Sequence, residues 1–290
     1  MQTFIHISDL HFPTALPLFS LRNKMIAGYI NFYIRRRHKH PEEIREALLR
    51  FISKTEYDGL FITGDLTNVS GEKEFERARE LLEPVLDERT FVIPGNHDRY
   101  TKQSIEPVRL FEKYFSRYTG ISFAENEKLF LRYKTFRDLY VIGWDSNEPR
   151  SLTEACGEIH DEVIDTTFIF LRKKGIQSYL LLCHHPLWNP SYRPEPENHS
   201  LKDKKGRLEK LKTFPPLVYL HGHHHTNYTK KSTDELPFTI INSASSTRVS
   251  DSHHDCGFHL VRVEQDKVDV ERFVYNFETR DFKKGELLSF

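Results

Sequence analysis

Phe4-Ile5-His6-Ile7-Ser8-Asp9-Leu10-His11 opens as a short apolar run and turns polar at its carboxyl end. Its length and its polar ending read as a buried strand running into a loop. The pattern recurs four times. Leu60-Phe61-Ile62 leads into Thr63-Gly64-Asp65-Leu66-Thr67, and Phe91-Val92-Ile93 into Pro94-Gly95-Asn96-His97-Asp98. Residues 179–183 lead into His184-His185-Pro186, and residues 217–220 into His221-Gly222-His223-His224-His225. In open α/β sheets ligands gather at the carboxyl ends of strands, so these endings should meet along one edge.

Working outward, Ile44, Leu48, Phe51 and Ile52 form one face of a helix opened by Pro41. Phe75, Ala78 and Leu82 predict a second helix, with Asn68 or Ser70 as its cap. Further helices are expected around 105–118 and 161–173, and strands at 139–142, 238–241, 258–263 and 268–277. The Pro-containing stretch 189–196 reads as a long loop. Strand–helix alternation followed by strand-rich sequence predicts an α/β protein with large mixed sheets covered by helices. One domain over residues 1–290 accommodates this length.

Lys plus Arg and Asp plus Glu each number 42, so no global field favours nucleic acid or membrane, and no specific nucleic-acid partner is predicted. Cys156, Cys183 and Cys256 are odd in number and widely spaced, which argues against a disulfide framework and for a reducing compartment. Met1 leads almost directly into the first strand, so no signal peptide is expected. No run of about 18 apolar residues is present to span a membrane. These features predict a cytoplasmic protein.

Gly64, Gly95 and Gly222 permit the sharp turns and close backbone approach that a crowded site needs. Asp9 and His11, two apart, would project to one face if the strand pleat persisted. Each motif alone is weak: Asn96-His97-Asp98 is also an ordinary turn, and His184-His185 also reads as a loop pair. Five in this order, each after a buried strand, make chance a poor explanation.

Asp-x-His, Gly-Asp, Gly-Asn-His-Asp, His-x-Pro and Gly-His-x-His, spread over about residues 1–250, resemble the calcineurin-like metallophosphoesterase superfamily. Within it the motifs are most similar to the cyclic-nucleotide and related phosphodiesterase branch. The resemblance implies a four-layer α-β-β-α sandwich with two mixed sheets and a pair of divalent cations. It assigns Asp9, His11 and His225 to one cation and Asn96, His184 and His223 to the other, with Asp65 bridging. His184 is preferred to His185 because the family's ligand lies two residues before the proline, here Pro186. His224 receives no ligand role. His97 is expected by the leaving-group oxygen, with Asp98 holding its imidazole; Asp98 also reads as a helix-start carboxylate.

Oxygen and imidazole donors without thiolate suit Mn, Fe or Zn. A carboxylate bridge holds two cations about 3.5–4 Å apart, sharing a hydroxide for in-line attack on phosphorus. The expected activity is metal-dependent phosphoester hydrolysis, with phosphodiesters first. An alternative substrate is a lipid-linked phosphodiester or pyrophosphate, of the UDP-diacylglucosamine kind. A non-catalytic scaffold is the third reading, but scaffolds of this fold typically lose ligands, and this chain keeps all seven.

Residues 16–40 stand apart as an insertion. Leu18, Leu21, Met25, Tyr29 and Phe32 follow a helical stripe, widened by Ile26, Ile30, Tyr33 and Ile34. The stripe ends in Arg35-Arg36-Arg37-His38-Lys39-His40. Two readings are open. One is a helix packed on the sandwich with a solvated basic end. The other is an amphipathic lid that rests on an anionic membrane or grips acyl chains, making the protein peripheral to the inner leaflet.

Overall fold

Alternation of side chains along the central strands decides the layering. In the computed structural model, which describes residues 1–22, 24–126 and 129–290, Leu180 and Leu182 of one strand enter the apolar layer shared with the opposite sheet. Their neighbours Tyr179 and Leu181 pack on the other face with Val163, Ile164, Phe168 and Leu171 of a covering helix. A period of two thus gives each sheet an inner and an outer apolar face.

The strands are β1 (Gln2–Ile7), β2 (Gly59–Ile62), β3 (Thr90–Val92), β4 (Ile121–Ser122), β5 (Leu131–Phe136), β6 (Leu139–Trp144) and β7 (Tyr179–Leu182). They continue with β8 (Val218–His221), β9 (Tyr228–Lys230), β10 (Thr239–Asn242), β11 (Phe258–Glu264), β12 (Lys267–Asn276) and β13 (Asp281–Gly285). One sheet runs β13-β12-β11-β1-β2-β3 and the other β4-β5-β6-β7-β8-β10-β9. Both are mixed: β1, β2 and β3 are parallel, as are β6, β7, β8 and β10, while the flanking pairs are antiparallel. The helices are α1 (Lys24–Asn31), α2 (Glu42–Lys54), α3 (Glu72–Leu82), α4 (Lys102–Ile105), α5 (Leu110–Phe115), α6 (Asp161–Lys174) and α7 (Lys204–Lys212). α2 and α3 bury Ile44, Leu48, Ile52, Phe75 and Leu82 in the first sheet's core, and α6 and α7 cover the second sheet. The result is the expected four-layer sandwich.

Local differences from expectation have physical causes. The helix predicted around 105–118 is broken, because a residue preceding proline is pushed out of the α region. Glu106, before Pro107, is extended, and the helix restarts at Leu110. α3 starts after Gly71 and is not capped by Asn68 or Ser70. Instead the buried Glu74 carboxylate accepts the N–H groups of Asn68 (3.0 Å), Val69 (3.1 Å) and Gly71 (2.9 Å). α7 and β13 escape prediction because each buries a single apolar side chain, Leu211 and Phe282.

In the insertion, α1 is followed by a π-helical turn (Phe32–Arg36) and a 3₁₀ turn (Arg37–Lys39). Leu21, Met25, Tyr29 and Phe32 pack with Leu16, Val69 and Tyr100 in a small core of their own. The side chains of Leu18, Arg35 and Arg36 lie outside the described set. No helix among the described residues is long and apolar enough to cross a membrane.

Behind the strand ends, His259 of β11 pairs in register with His6 of β1. Its ring is fully buried and neither nitrogen has a hydrogen-bond partner. Burial, reinforced by the charge of Arg272, pushes it down to about 3. The unfolded chain therefore binds a proton that the folded chain does not, and stability is lost as pH falls from about 6.5 towards 3. Between pH 7 and pH 5 this one group should remove about 2 kcal/mol. Urea unfolding of wild type and His259→Leu at both pH values measures it. The variant should lose less stability on acidification, and an identical loss would show that His259 does not titrate this way.

Candidate metal centre

The parallel register places the strand ends level. Ile7 lies beside Ile62 and Ile62 beside Val92 in the first sheet, and Leu182 lies beside Leu220 in the second. The loops leaving these ends carry the predicted site residues. β1, β2 and β3 deliver Asp9, His11, Asp65, Asn96 and His97, while β7 and β8 deliver His184, His223 and His225. The two halves join directly: His184 Nδ1–H donates to the Thr63 carbonyl (2.8 Å), and the His223 N–H donates to Asp9 Oδ2 (3.0 Å).

The strand pleat does not persist to His11. Asp9 (φ 52°), His11 (φ 42°), Asp65 (φ 56°), His223 (φ 71°) and His225 (φ 50°) are all left-handed. Such conformations cost about 1–3 kcal/mol each and persist only where surroundings over-determine them. Here the Asp9 and His11 N–H groups are held by the carbonyls of Gly64 (3.0 Å) and Asp65 (2.9 Å). The kinks, not the pleat, turn both side chains to a common point. At Gly222 a Cβ would collide with Ser8 Oγ and Asp9 Oδ2, so only glycine lets the β8 loop approach this closely.

Among the described residues, three groups have ligand atoms within 4.8 Å of one another and could hold a metal: Asp9/His11/His225, His11/Asp65/His97 and Asp9/Asp65/His184. Asp65 Oδ2 lies 3.6 Å from His11 Nε2 and 3.4 Å from His184 Nε2, while its Oδ1 accepts the His97 N–H (2.8 Å). His225 Nε2 is 3.0 Å from Asp9 Oδ1 and 3.3 Å from His11 Nε2. Asn96 Oδ1 is 3.0 Å from both His184 Nε2 and His223 Nδ1.

The outward nitrogens explain why these contacts fit cations. His11 Nδ1–H donates to the Thr67 carbonyl (3.0 Å) and His223 Nε2–H to the His199 carbonyl (3.0 Å). With His184 held by Thr63, each neutral ring turns a lone pair inward. In that form the lone pairs of His184, His223 and Asn96 face one another, and a proton or a cation must separate them. Asp9 Oδ1 is fully buried without a well-formed hydrogen bond, although His225 stands beside it. Such a donor set requires positive charge. Burial depresses His184, but Asp65 and then Asp9 outweigh it and lift the ring up to about 10. Burial also opposes ionisation of Asp65, yet the imidazoles of His184 and His97 hold its carboxyl well below the usual range.

His185 and His224 stand outside the cluster. His185 uses both nitrogens, on Ser146 Oγ (2.8 Å) and the Ala155 carbonyl (3.0 Å), and burial pushes it down to about 3. His224 meets Glu195 Oε1 (3.0 Å).

The role expected of Asp98 is corrected. It does not hold the His97 imidazole, whose Nδ1–H donates to the Asn68 carbonyl (2.5 Å). The Asp98 carboxylate points back into the fold and accepts the N–H groups of Leu66 (3.1 Å), Thr67 (3.0 Å) and Gly95 (2.9 Å) and the Thr67 hydroxyl (3.1 Å). It therefore ties the Asp65 loop to the Asn96 loop. Nor does it start a helix, since residues 96–99 form a turn.

Sequence reading missed the 243–247 loop. Ser245 Oγ donates to the Asp9 carbonyl (2.5 Å) and Thr247 Oγ1 to the Leu10 carbonyl (2.6 Å), bracing the first ligand pair. The signal was present: Asn242-Ser243-Ala244-Ser245-Ser246-Thr247 is a sixth polar ending, directly after the 238–241 strand. Glu195, from the predicted long loop, was also missed; its Oε1 lies 3.5 Å from His223 Nε2.

Comparison with known proteins bears on the family and the fold. The sequence profile of the calcineurin-like phosphoesterase family matches residues 2–227, and the chain belongs to that family. It is a metal-dependent phosphoester hydrolase. A probable cyclic nucleotide phosphodiesterase of Coxiella burnetii is 28% identical over 234 residues, covering 76% of each chain. Among solved structures, a purple acid phosphatase from yellow lupin seeds superposes with a TM-score of 0.59 at 11% identity over 94% of this chain. The match spans 51% of the lupin chain, so this chain corresponds to about half of it. A protein of Thermus thermophilus gives a TM-score of 0.52 at 12% identity, covering 93% of this chain and 97% of its own.

Replacing Asp98 by Asn substitutes a donor for an acceptor among buried N–H groups. Because the carboxylate braces two ligand loops, metal affinity should fall about 10- to 100-fold. Metal titration of Asp98→Asn checks this. Unchanged affinity with reduced turnover would restore a role confined to His97.

Proposed function

We propose that the chain is a dinuclear phosphodiesterase whose cations are held by Asp9, His11 and His225 on one side and Asn96, His184 and His223 on the other, with Asp65 shared. The observation that carries this reading is the position of Asp65 Oδ2, between His11 Nε2 at 3.6 Å and His184 Nε2 at 3.4 Å. The nitrogen and oxygen donors favour Mn, Fe or Zn. Bound there, such ions would make a hydroxide nucleophile available near neutral pH and neutralise phosphate charge.

The remaining chemistry belongs to the chain's own residues. His97, fixed through Nδ1 by Asn68, turns Nε2 towards the cavity, where it can donate a proton to the departing alkoxide. Asn96, His97, Tyr100 and Phe32 line a cavity of about 420 Å³, ample for a small phosphoester. The Coxiella relative supports a diester over a monoester. β11–β13 extend the sheet beside β1, so we take residues 1–290 as one catalytic domain. Three free, buried cysteines support a reducing compartment such as the cytoplasm.

Asp65→Asn should abolish hydrolysis of bis-p-nitrophenyl phosphate and lower metal content, because it removes the negative charge between two dications. Near-normal turnover with two metals retained would sink the dinuclear reading. His97→Ala should keep its metals and lose about 10²- to 10⁴-fold in kcat. Substrates with excellent leaving groups should suffer less. Equal losses for good and poor leaving groups would remove His97 from the leaving-group side.

A further inference from the structure

α1 and the turn after it bury Met25, Tyr29 and Phe32 but leave Ile26 (47% exposed), Ile30 (51%), Tyr33 (49%) and Ile34 (68%) in solvent. Their spacing of four, three and one places them on one stripe of a helix. Single exposed apolar residues are ordinary, whereas a contiguous patch marks an interaction surface.

The charge beside this stripe is one-sided. The chain has 42 acidic residues, yet none lies between Asp9 and Glu42, an interval that carries Arg22, Lys24, Arg35, Arg36, Arg37 and Lys39. Lys24 turns inward onto the Tyr100 ring and the Arg150 carbonyl, and Lys39 pairs with Asp251. The Arg37 guanidinium lies over the exposed Tyr33 ring, 4.1 Å from its centroid, so charge and apolar surface are contiguous.

We propose that this face docks on an anionic lipid bilayer. An amphipathic helix with a basic end settles in the headgroup layer with its apolar stripe inserted and its cations among lipid phosphates. A second copy of the chain fits less well, because a two-fold contact would set two acid-free, basic segments against each other. Docking also bears on the site. Ala27, Gly28 and Asn31, on the same helix, line the cavity that reaches Asn96 and His97. A docked bilayer would bring lipid headgroups to the mouth of that cavity, favouring phosphoesters carried by membrane lipids.

Vesicle sedimentation tests the idea, with phosphatidylcholine alone and with added phosphatidylglycerol, at low and high salt. Wild type should pellet with anionic vesicles at low salt, poorly with neutral ones, and be released by salt. Ile30→Asp/Ile34→Asp should lower partitioning more than about tenfold, and removing the Arg37 charge about fivefold. The isoleucine variant should still hydrolyse bis-p-nitrophenyl phosphate and melt as wild type, which shows that it is folded. Asp65→Asn protein should pellet as wild type, so docking and the metal reading fail separately. Wild type absent from anionic pellets at low salt overturns the proposal, as does equal pelleting of the isoleucine variant. Self-association abolished by Ile30→Asp/Ile34→Asp, without vesicle binding, would assign the face to a second copy instead.

Discussion

Asp65 is the point at which the two sheets meet. One carboxylate oxygen faces His11 from its own sheet and His184 from the other, and the second oxygen fixes the His97 backbone. A buried carboxylate so placed demands positive charge from both directions, because an unpaired charge in a low-dielectric interior is strongly unfavourable. That demand orients the rings around it. The imidazoles give their outer N–H groups to main-chain carbonyls and keep lone pairs for the centre. The sandwich is thus organised around a buried charge on which imidazoles from both sheets converge.

Holding that arrangement costs conformational energy, and the fold distributes the cost. Five residues of the cluster take left-handed backbone that neither His nor Asp adopts freely. Their neighbours compensate with main-chain hydrogen bonds between loops: Asp9 and His11 to the β2 loop, and Ser245 and Thr247 to the carbonyls of Asp9 and Leu10. Asp98 does the same from the β3 loop with four donors on one carboxylate. Site geometry is therefore set in part by polar groups that touch no predicted ligand side chain.

This explains which parts were legible in the sequence. Buried central strands announce themselves as apolar runs, and their polar endings mark the candidate ligands, so β1, β2, β3, β7 and β8 and the residues after them could be read directly. Peripheral elements could not. β5 alternates Arg132 and Lys134 among its apolar residues, and α7 includes Gly206 and buries only Leu211. The role of Asp98 was misread for a different reason. Adjacency to His97 in sequence suggested contact, but in a tight turn neighbouring side chains diverge, and the hydrogen-bond partners of Asp98 in the β2 loop lie 31 and 32 residues away. In the insertion, the one wide stripe of the sequence divides into two faces, one packed and one exposed.

The support for His97 shows how far the catalytic geometry reaches into the scaffold. A main-chain carbonyl holds Nδ1–H and so fixes the tautomer that leaves Nε2 for the cavity. That carbonyl belongs to Asn68, in a segment without regular structure that must itself be pinned. Glu74, buried in the first turn of α3, pins it by accepting the N–H groups of Asn68, Val69 and Gly71, and these bonds offset part of the cost of burying its carboxylate. Asn68 Nδ2 closes the other side by donating to the Phe12 carbonyl (3.2 Å), just beyond His11. The His97 imidazole is thus positioned by α3, through a loop that also braces the segment after β1. A substitution in α3 can therefore misplace His97 while leaving Asp9, His11, Asp65, His184 and His225 in place.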